Sequence, residues 1–193
     1  MGSIKQLDTN LFLWFNSKHN SFFDLIMYWA SHDYFWIWLY VILLGLVFTS
    51  YKKKTLFILP IIALMILVSD QSANLTKNST KRYRPSHNLV IQDQVHLNPY
   101  AVLETGDGRG GQYGFFSSHA SNTFALAFFL SMLLMKRFKY FPLLIFIWAG
   151  FVAYSRIYNG VHYPLDIIAG ALVGILSGFL AYKLWKLADA RFV

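Results

Sequence analysis

Long apolar runs that end in basic clusters constrain the fold of this chain more than any other feature. A helix needs roughly 20 mostly apolar residues to cross the hydrocarbon core of a bilayer, and residues 34–50, 118–135 and 164–185 come close to that length. Each run is followed within a few residues by lysines or arginines. Only 13% of the residues are charged, whereas an ordinary soluble domain has about 25%. The pattern predicts an all-α integral membrane protein.

We predict a bundle of five clear transmembrane helices. The five predicted spans are residues 34–50, 55–74, 118–135, 141–154 and 164–185. Residues 1–33 hold two shorter apolar pieces, interrupted at 16–20, and they predict an amphipathic, interfacial segment. One tilted span is the alternative there, and it would be a sixth. The chain then consists of this N-terminal segment, 1–33, and a transmembrane domain, 34–193, which together form a single domain.

The basic clusters predict the orientation of the bundle. Lysine and arginine are enriched in cytoplasmic loops, so the clusters at 52–54, 136–139 and 183–191 are expected on the cytoplasmic side. The polar loop 78–116 and the turn 156–163 then share the opposite face. The formal net charge of +8 is concentrated in clusters and not on one face of a soluble fold, which argues against a nucleic-acid partner. The chain has no cysteine, and this excludes disulfides, thiolate metal sites and a cysteine nucleophile.

Three polar clusters are predicted to meet at the outer face. They lie in the segments KNSTKRYRP (77–85), FFSSHASN (115–122) and SRIYNGVHYPLD (155–166). In the third segment the proline can open a helix, which puts Asp166 about one turn from His162. A carboxylate in that position can accept the imidazole N–H bond and orient the ring. For this segment alone, an interfacial arginine anchor followed by a simple helix cap is the alternative interpretation.

Taken together, the clusters favour an anionic ligand. Arginine forks match phosphate oxygens, and a lysine adds a point charge, although a solvated charge run is the alternative for 77–85 alone. Ser117 or Ser118 can cap the helix that follows, and the free N–H groups of its first turn bind anions. His119 lies on that turn and would face the same ligand. For His119 alone, a neutral interfacial histidine is the alternative.

The three clusters resemble the three-part signature of the type-2 phosphatidic acid phosphatase family, within the acid phosphatase–vanadium haloperoxidase superfamily. The first part, Lys-x6-Arg-Pro, is matched by Lys77, Arg84 and Pro85. The third part, Ser-Arg-x5-His-x3-Asp, is matched by Ser155, Arg156, His162 and Asp166. The second part, Pro-Ser-Gly-His, is matched only at Ser117 and His119, because Phe116 replaces the proline and Ser118 replaces the glycine. The resemblance spans residues 34–185, with the motifs in the family order.

The resemblance implies a role for each matched residue. His162 would be the nucleophile that forms a phosphohistidine, Asp166 would orient it, and His119 would protonate the leaving oxygen. Residues that bind the phosphoryl oxygens and stabilise their charge would be Lys77, Arg84, Ser117, Ser118 and Arg156. We expect no metal ion and no other cofactor, since cations and amides would supply the electrostatic stabilisation. The outer face also has no carboxylate cluster in the sequence that suggests a Mg²⁺ site.

The resemblance also implies an activity and a location. We expect a membrane lipid phosphatase that removes the terminal phosphate of a lipid phosphate or diphosphate in the bilayer. Undecaprenyl diphosphate is the favoured substrate, because the small single-domain form and the outward site resemble the bacterial undecaprenyl-diphosphate phosphatases of this family. The alternatives are phosphatidylglycerol phosphate, phosphatidate and lipid A phosphate. The expected location is the bacterial inner (cytoplasmic) membrane, with the site facing the periplasm. Rival functions are a vanadate-dependent haloperoxidase and a non-catalytic phospholipid-binding protein.

Two further features lie outside the signature. Asp70, Asn74 and Lys77 fall on one face of the second span, and an ionisable residue within a membrane is a functional candidate by default. We interpret Asp70 as a buried partner of a polar or cationic site residue. The loop GDGRGGQYG (106–114) lacks the Lys-Ser/Thr ending of a P-loop. Its glycines would let it fold over the site and bring Arg109 to a second phosphate or a sugar, with a mobile solvated loop as the alternative.

Overall fold

The computed structural model describes residues 2–192 and is almost entirely helical. Its helices are α1 (Gly2–Asn16), α2 (Ser21–Ser31), α3 (Ile37–Tyr51), α4 (Thr55–Thr80), α5 (Pro99–Thr105), α6 (Ser118–Leu134), α7 (Phe141–Tyr158) and α8 (Pro164–Phe192). Short 3₁₀ turns occur at Asp33–Trp36, Lys52–Lys54, Pro85–His87 and Gln92–Gln94. The described residues contain no strand, only an isolated antiparallel bridge between Tyr83 and Tyr113. The predicted all-α class is confirmed.

Length and apolar composition identify three stretches of residues 2–192 that can cross a membrane: Asp33–Thr80, Phe141–Tyr158 and Pro164–Arg191. The first holds both α3 and α4, which the lysine turn separates. Helix α6 is a shorter apolar helix of 17 residues. Five helices overlap the five predicted spans, but α4, α7 and α8 continue beyond the predicted ends at 74, 154 and 185. The number of membrane crossings remains a prediction.

Helix α6 is the centre of the bundle and packs against α4, α7 and α8. Its closest neighbour is α8, which presents Gly170, Gly174 and Gly178 at four-residue spacing. A Cβ atom added at Gly170 would lie 2.5 Å from the Ser117 carbonyl oxygen, and one at Gly174 would overlap the Ser121 carbonyl oxygen. The two backbones therefore approach to a separation that only glycine permits. Stripes of small residues pack helices in this way in membranes, where lipid is as apolar as leucine.

The three basic clusters lie at one end of the bundle. Lys54 pairs with Asp189 near the end of α8, at 3.0 Å. Arg137, after α6, donates from Nη1 to the Thr49 carbonyl near the end of α3, at 2.9 Å. The turns that contain the clusters are thus held together, while the polar loop lies at the opposite end, where α7 finishes and α6 and α8 begin. This arrangement agrees with the grouping predicted from charge, and the side of the membrane that each end faces remains a prediction.

The N-terminal helices α1 and α2 lie over the same end as the polar loop. Asn16, the last residue of α1, donates from Nδ2 to the Tyr158 carbonyl at 2.8 Å. Asp24 of α2 accepts the Tyr158 hydroxyl at 2.9 Å, and the His96 ring nitrogen Nε2 lies 2.8 Å from the same carboxylate. Helices of 15 and 11 residues are each too short to span a bilayer. Their interfacial placement remains a prediction.

Candidate active site

His162 and Asp166 meet where α7 ends and α8 begins. Gly160 has a φ of +79°, a left-handed conformation that glycine adopts without strain, and Pro164 is the first residue of α8. Asp166 Oδ2 lies 3.4 Å from Nδ1 of His162 and accepts the Tyr163 N–H at 3.0 Å. The two side chains are almost fully buried, at 1% and 0% exposure. Because Nδ1 faces Asp166, Nε2 is the ring nitrogen that points away from the carboxylate.

The second predicted cluster lies directly against this pair. Ser117 caps α6 by accepting the Ala120 N–H, and its own N–H donates to the Asp166 carbonyl oxygen at 3.1 Å. Ser118 has an ordinary helical backbone in the first turn of α6, so the missing family glycine imposes no strain. Its hydroxyl accepts Lys77 Nζ at 3.2 Å. The starts of α6 and α8 and the end of α4 are therefore joined at one point.

Three cationic side chains surround the site. Arg84 is 8% exposed, and its Nε donates to the Tyr113 carbonyl at 3.2 Å. Within residues 2–192, the buried Nε of Arg156 has no hydrogen-bond partner. Lys77, Arg84 and Arg156 make no salt bridge in this part of the chain. Burying unpaired charge is unfavourable, so the arrangement favours binding of an anion.

The charge state of His162 follows from its surroundings. Burial lowers the pKa of the imidazole well below its ordinary value, and the charges of Arg84, Arg156 and Lys77 lower the pKa further. The ring is therefore neutral at neutral pH, and a neutral imidazole has the lone pair that a nucleophile needs.

His119 lies in the first turn of α6 between two cavities. The cavity on the loop side has a volume of about 250 Å³ and is lined in part by Gly110 and Arg156. The cavity on the bundle side has a volume of about 410 Å³. Its lining combines polar and apolar groups from four helices and a turn: Asp33, Tyr40, Ile62, Ile66, Asp70, Ser118, Asn122, Thr123, Leu126 and Trp148. The apolar part of this cavity suits a lipid chain, and its polar part suits a headgroup.

Asp70 and Asp33 border the bundle-side cavity in different ways. Asp70 accepts the Asn74 side-chain N–H at 3.0 Å, in agreement with the helical spacing of the two residues. Asp33 is exposed, and its Oδ1 lies 3.9 Å from Nε2 of His119. Both carboxylates therefore lie on the same side of the site as His119.

The glycine-rich loop packs against His162 and Asp166. Its backbone bonds the first cluster through Gly114 N–H to the Arg82 carbonyl at 2.9 Å. A Cβ atom at Gly114 would lie 3.1 Å from Asp166 Oδ2 and 3.5 Å from His162 Nδ1. Arg109 is not brought to this site, because its Nη1 donates to the Gln92 side chain at 3.3 Å in a separate cavity. The part of the loop that lies against His162 and Asp166 is therefore the Gly114 backbone and not the Arg109 side chain.

Two charged residues that are not signature positions also reach the site. Arg82 lies in the first cluster, between Lys77 and Arg84, and donates to Asp166. Asp8 on α1 contacts Arg82 in turn. The sequence signal for Arg82 was its place among the outer-face cations. The sequence pointed to Asp8 more weakly, as the only carboxylate among residues 1–16.

The family model of the PAP2 superfamily matches residues 54–189, well over half of the chain. The chain belongs to the PAP2 superfamily. It is a membrane lipid phosphatase of this superfamily and hydrolyses a lipid phosphate monoester or diphosphate. The three motifs occupy one end of its helical bundle, as the charge pattern predicts.

Relatives of this PAP2 protein include several phosphatases. It is 36% identical to a lipid A 4'-phosphatase of Porphyromonas gingivalis, an alignment that covers 100% of this chain and 79% of that protein. It is 35% identical to a lipid A 4'-phosphatase of Bacteroides thetaiotaomicron, covering 97% and 81%. An undecaprenyl-diphosphatase of Sulfolobus acidocaldarius is 30% identical, covering 83% and 69%. The fold is similar to that of a PAP2 type phosphatidylglycerolphosphate phosphatase from Bacillus subtilis, with a TM-score of 0.70, 20% identity and coverage of 100% and 90%.

Gly114→Ala is expected to reduce phosphate release by at least about 10-fold, because positioning errors well below 1 Å are felt at a catalytic pair. The added Cβ would press on Asp166 Oδ2 and Arg84 Cγ, each at 3.1 Å. Gly111→Ala in the same loop is the matched control, since its Cβ would meet only Arg84 Nη2, at an ordinary 3.9 Å. Initial rates of phosphate release test this, and equal rates for the two variants would contradict it.

Proposed function

We propose that this PAP2 protein is a lipid A phosphatase that removes the 4'-phosphate. The observation that carries the proposal is the similarity along nearly the whole chain to two proteins named lipid A 4'-phosphatase. Lipid A was an alternative in the sequence interpretation, where undecaprenyl diphosphate was favoured. The relatives support the alternative better.

In the proposed reaction, Nε2 of His162 attacks phosphorus. The P–N bond forms as the bond from phosphorus to the lipid oxygen breaks, and His119 gives its proton to that oxygen. Water then attacks the phosphohistidine, His119 takes a proton from it, and phosphate leaves with His162 restored to its neutral form. Asp166 holds Nδ1–H throughout and stabilises the charge that the ring acquires.

The proposed phosphate-binding groups are the cations and the start of α6. Lys77, Arg84 and Arg156 would contact the phosphoryl oxygens, since none of the three makes a salt bridge within residues 2–192. Ser117 and Ser118 begin α6, whose first N–H groups and positive dipole end favour an anion. Because charge accumulates on the phosphoryl oxygens in the transition state, these groups would act there most strongly.

The carboxylates beside the proposed leaving-group position favour a phosphate monoester as substrate over a diphosphate. The proposed acid, His119, borders the cavity lined by Asp33 and Asp70. A diphosphate would bring its second phosphate to this side, where two carboxylates repel it. The alcohol released from lipid A carries sugar hydroxyl and amide N–H groups, which carboxylates accept. Undecaprenyl diphosphate remains the second candidate, because of the similarity to the Sulfolobus acidocaldarius enzyme.

We further propose that the site opens on the outer face of a bacterial inner membrane. The basic clusters lie at the other end of the bundle, joined by the Lys54–Asp189 and Arg137–Thr49 contacts, and such clusters favour the cytoplasm. The substrate would then stay in the bilayer with its phosphate at headgroup level.

A panel of lipid phosphates tests the substrate. Purified full-length protein in detergent would be given 4'-phosphorylated lipid A, undecaprenyl diphosphate, phosphatidylglycerol phosphate and phosphatidate at equal mole fractions, with and without EDTA. We expect kcat/KM to be at least about 10-fold higher for lipid A, equivalent to about 1.4 kcal/mol of discrimination, and unchanged by EDTA. Asp70→Asn, which removes a charge at constant shape, should raise the relative rate on the diphosphate. A higher rate on undecaprenyl diphosphate with the unchanged protein would overturn the assignment.

A further inference from the structure

The guanidinium group of Arg82 joins two buried carboxylates that are far apart in sequence. Its Nη1 donates to Oδ1 of Asp166 at 2.7 Å, and its Nη2 donates to Oδ2 of Asp8 at 2.5 Å. The side chains of Asp8 and Asp166 are 1% and 0% exposed, and that of Arg82 is 26% exposed. Hydrogen bonds between ionised partners are about twice as strong as neutral ones. The bridge is therefore a firm link between α1 and α8.

Asp8 makes a second contact at the start of α8. Its Oδ1 accepts the Leu165 N–H at 2.9 Å, one of the first-turn N–H groups that lack a partner within the helix. Helix α1 is held in this position by Phe12, which is 0% exposed and lies with its ring centroid 5.4 Å from that of Tyr163. One carboxylate of α1 thus caps α8 and holds Arg82.

Every contact of the Asp166 carboxylate affects the orientation of His162. Oδ2 faces Nδ1 of His162 and accepts the Tyr163 N–H, while Oδ1 is held by Arg82. Without Arg82, a buried carboxylate with one unpaired oxygen would rotate or take up a proton. Either change would weaken the contact that orients the imidazole. Arg82 is itself fixed, since its guanidinium carbon lies 4.4 Å from the ring centroid of Tyr163.

We propose that Arg82 and Asp8 are positioning residues, which orient Asp166 and, through it, His162. This inference rests on the proposed function, in which His162 is the nucleophile. It distinguishes Arg82 from Arg84 and Arg156, because the two ends of its fork are already occupied by carboxylates. It also makes α1 part of the active site, where the sequence predicted only an interfacial segment.

Steady-state kinetics of purified full-length variants in detergent test the role of Arg82, with the lipid phosphate that the unchanged protein hydrolyses fastest. Arg82→Ala is expected to lower kcat about 10- to 100-fold, by analogy with the loss of hydrogen-bonded partners around metal-ligating histidines and carboxylates, and to change KM by less than about 3-fold. Millimolar guanidinium ion should restore part of kcat in Arg82→Ala, whereas sodium chloride at the same concentration should not. Arg82→Lys keeps the charge without the planar fork and should have an intermediate kcat.

Asp8→Asn tests the contribution of α1. The amide keeps the shape of the side chain and can still accept the Leu165 N–H, but it loses the charge that pairs with Arg82. We expect kcat to fall about 10-fold, and the double variant Asp8→Asn/Arg82→Ala to be no slower than Arg82→Ala, because residues that act through one another are not additive. Asp24→Asn is the matched control: Asp24 is a buried carboxylate of α2 that contacts Tyr158 and His96, not Arg82. Its kcat should remain within about 3-fold of the unchanged protein.

Three results would overturn the positioning role: a raised KM with unchanged kcat in Arg82→Ala, additive losses in the double variant, or an equal loss of kcat in Asp24→Asn. If Arg82→Ala does not fold, Arg82→Lys and Asp8→Asn give the same comparison, since both keep volume and at least one hydrogen bond. Failure of the proposed function would be recognised separately. The unchanged protein would then release no phosphate from lipid phosphates, or His162→Ala would still release it. If His162→Ala is inactive and Arg82→Ala keeps its kcat, only the positioning role is wrong.

Discussion

Replacing His162 by alanine is expected to reduce phosphate release by at least about 10⁴-fold, the scale of loss when a covalent nucleophile is removed. Nε2 of His162 points away from Asp166, whose carboxylate faces Nδ1, and the charges of Arg84, Arg156 and Lys77 act on the ring. Phosphate release from the lipid substrate measures the loss. Protein denatured in alkaline detergent during turnover should also carry a phosphoryl group that is stable to base and labile to acid, and this label should be absent from His162→Ala.

His119→Ala is the informative comparison for His162→Ala. If His119 donates the proton to the leaving oxygen, its loss should slow hydrolysis of a lipid ester by about 10²- to 10⁴-fold. The loss should be much smaller for an ester with an acidic phenol as leaving group, which departs without a proton. His162→Ala should be inactive on both esters. An active His162→Ala variant, or a phosphoryl label that persists in it, would contradict the nucleophile assignment.

Gly174→Ala is expected to destabilise the whole bundle. The added Cβ would overlap the Ser121 carbonyl oxygen and lie 3.0 Å from the Ala125 backbone nitrogen, and backbone atoms cannot rotate away as a flexible side chain can. The helices α6 and α8 must then separate along their closest contact, at a cost of about 3 kcal/mol or more. For a chain of this size each kcal/mol corresponds to about 2–4 °C, so Tm in detergent should fall by roughly 6–12 °C.

Gly150→Ala is the matched control for the glycine stripe. Gly150 also lies within an apolar helix, α7, but a Cβ atom there would meet nothing within 4 Å. Because alanine is the better helix former, this variant should keep or slightly raise Tm. Thermal unfolding of both proteins in the same detergent provides the comparison, and equal Tm changes would show that the close approach of α6 and α8 does not limit stability.

The glycine stripe also links stability to the site. Ser117, opposite Gly170, donates its N–H to the Asp166 carbonyl, so the close approach of α6 and α8 is what brings the second and third motifs together. The sequence contains the glycines at regular spacing, but that spacing alone does not identify the helix that packs against them. Only the folded bundle shows that the partner is α6.

The sequence by itself determined the class of the protein and the composition of its site. Apolar runs of span length and their basic ends encode membrane helices, because lipid requires every backbone group to be paired within the segment. The motifs are local in sequence: His162 and Asp166 are one helical turn apart, and Ser117 caps the helix that carries His119. Such relations follow from helical geometry within a single element, and these residues were therefore predicted together.

The tertiary structure decided which distant residues support that site and which do not. Asp8 reaches the start of α8 from 157 residues away, and Gly114 lies against His162 and Asp166. Arg109, for which the sequence left open a contact to a second phosphate or sugar and a mobile solvated loop, instead turns to Gln92. These contacts depend on how whole helices and a long loop pack against each other. Helical period and local charge predict which face of an element is buried but not which element packs against it. Only the packed bundle therefore places α1 and the glycine loop beside His162 and Asp166.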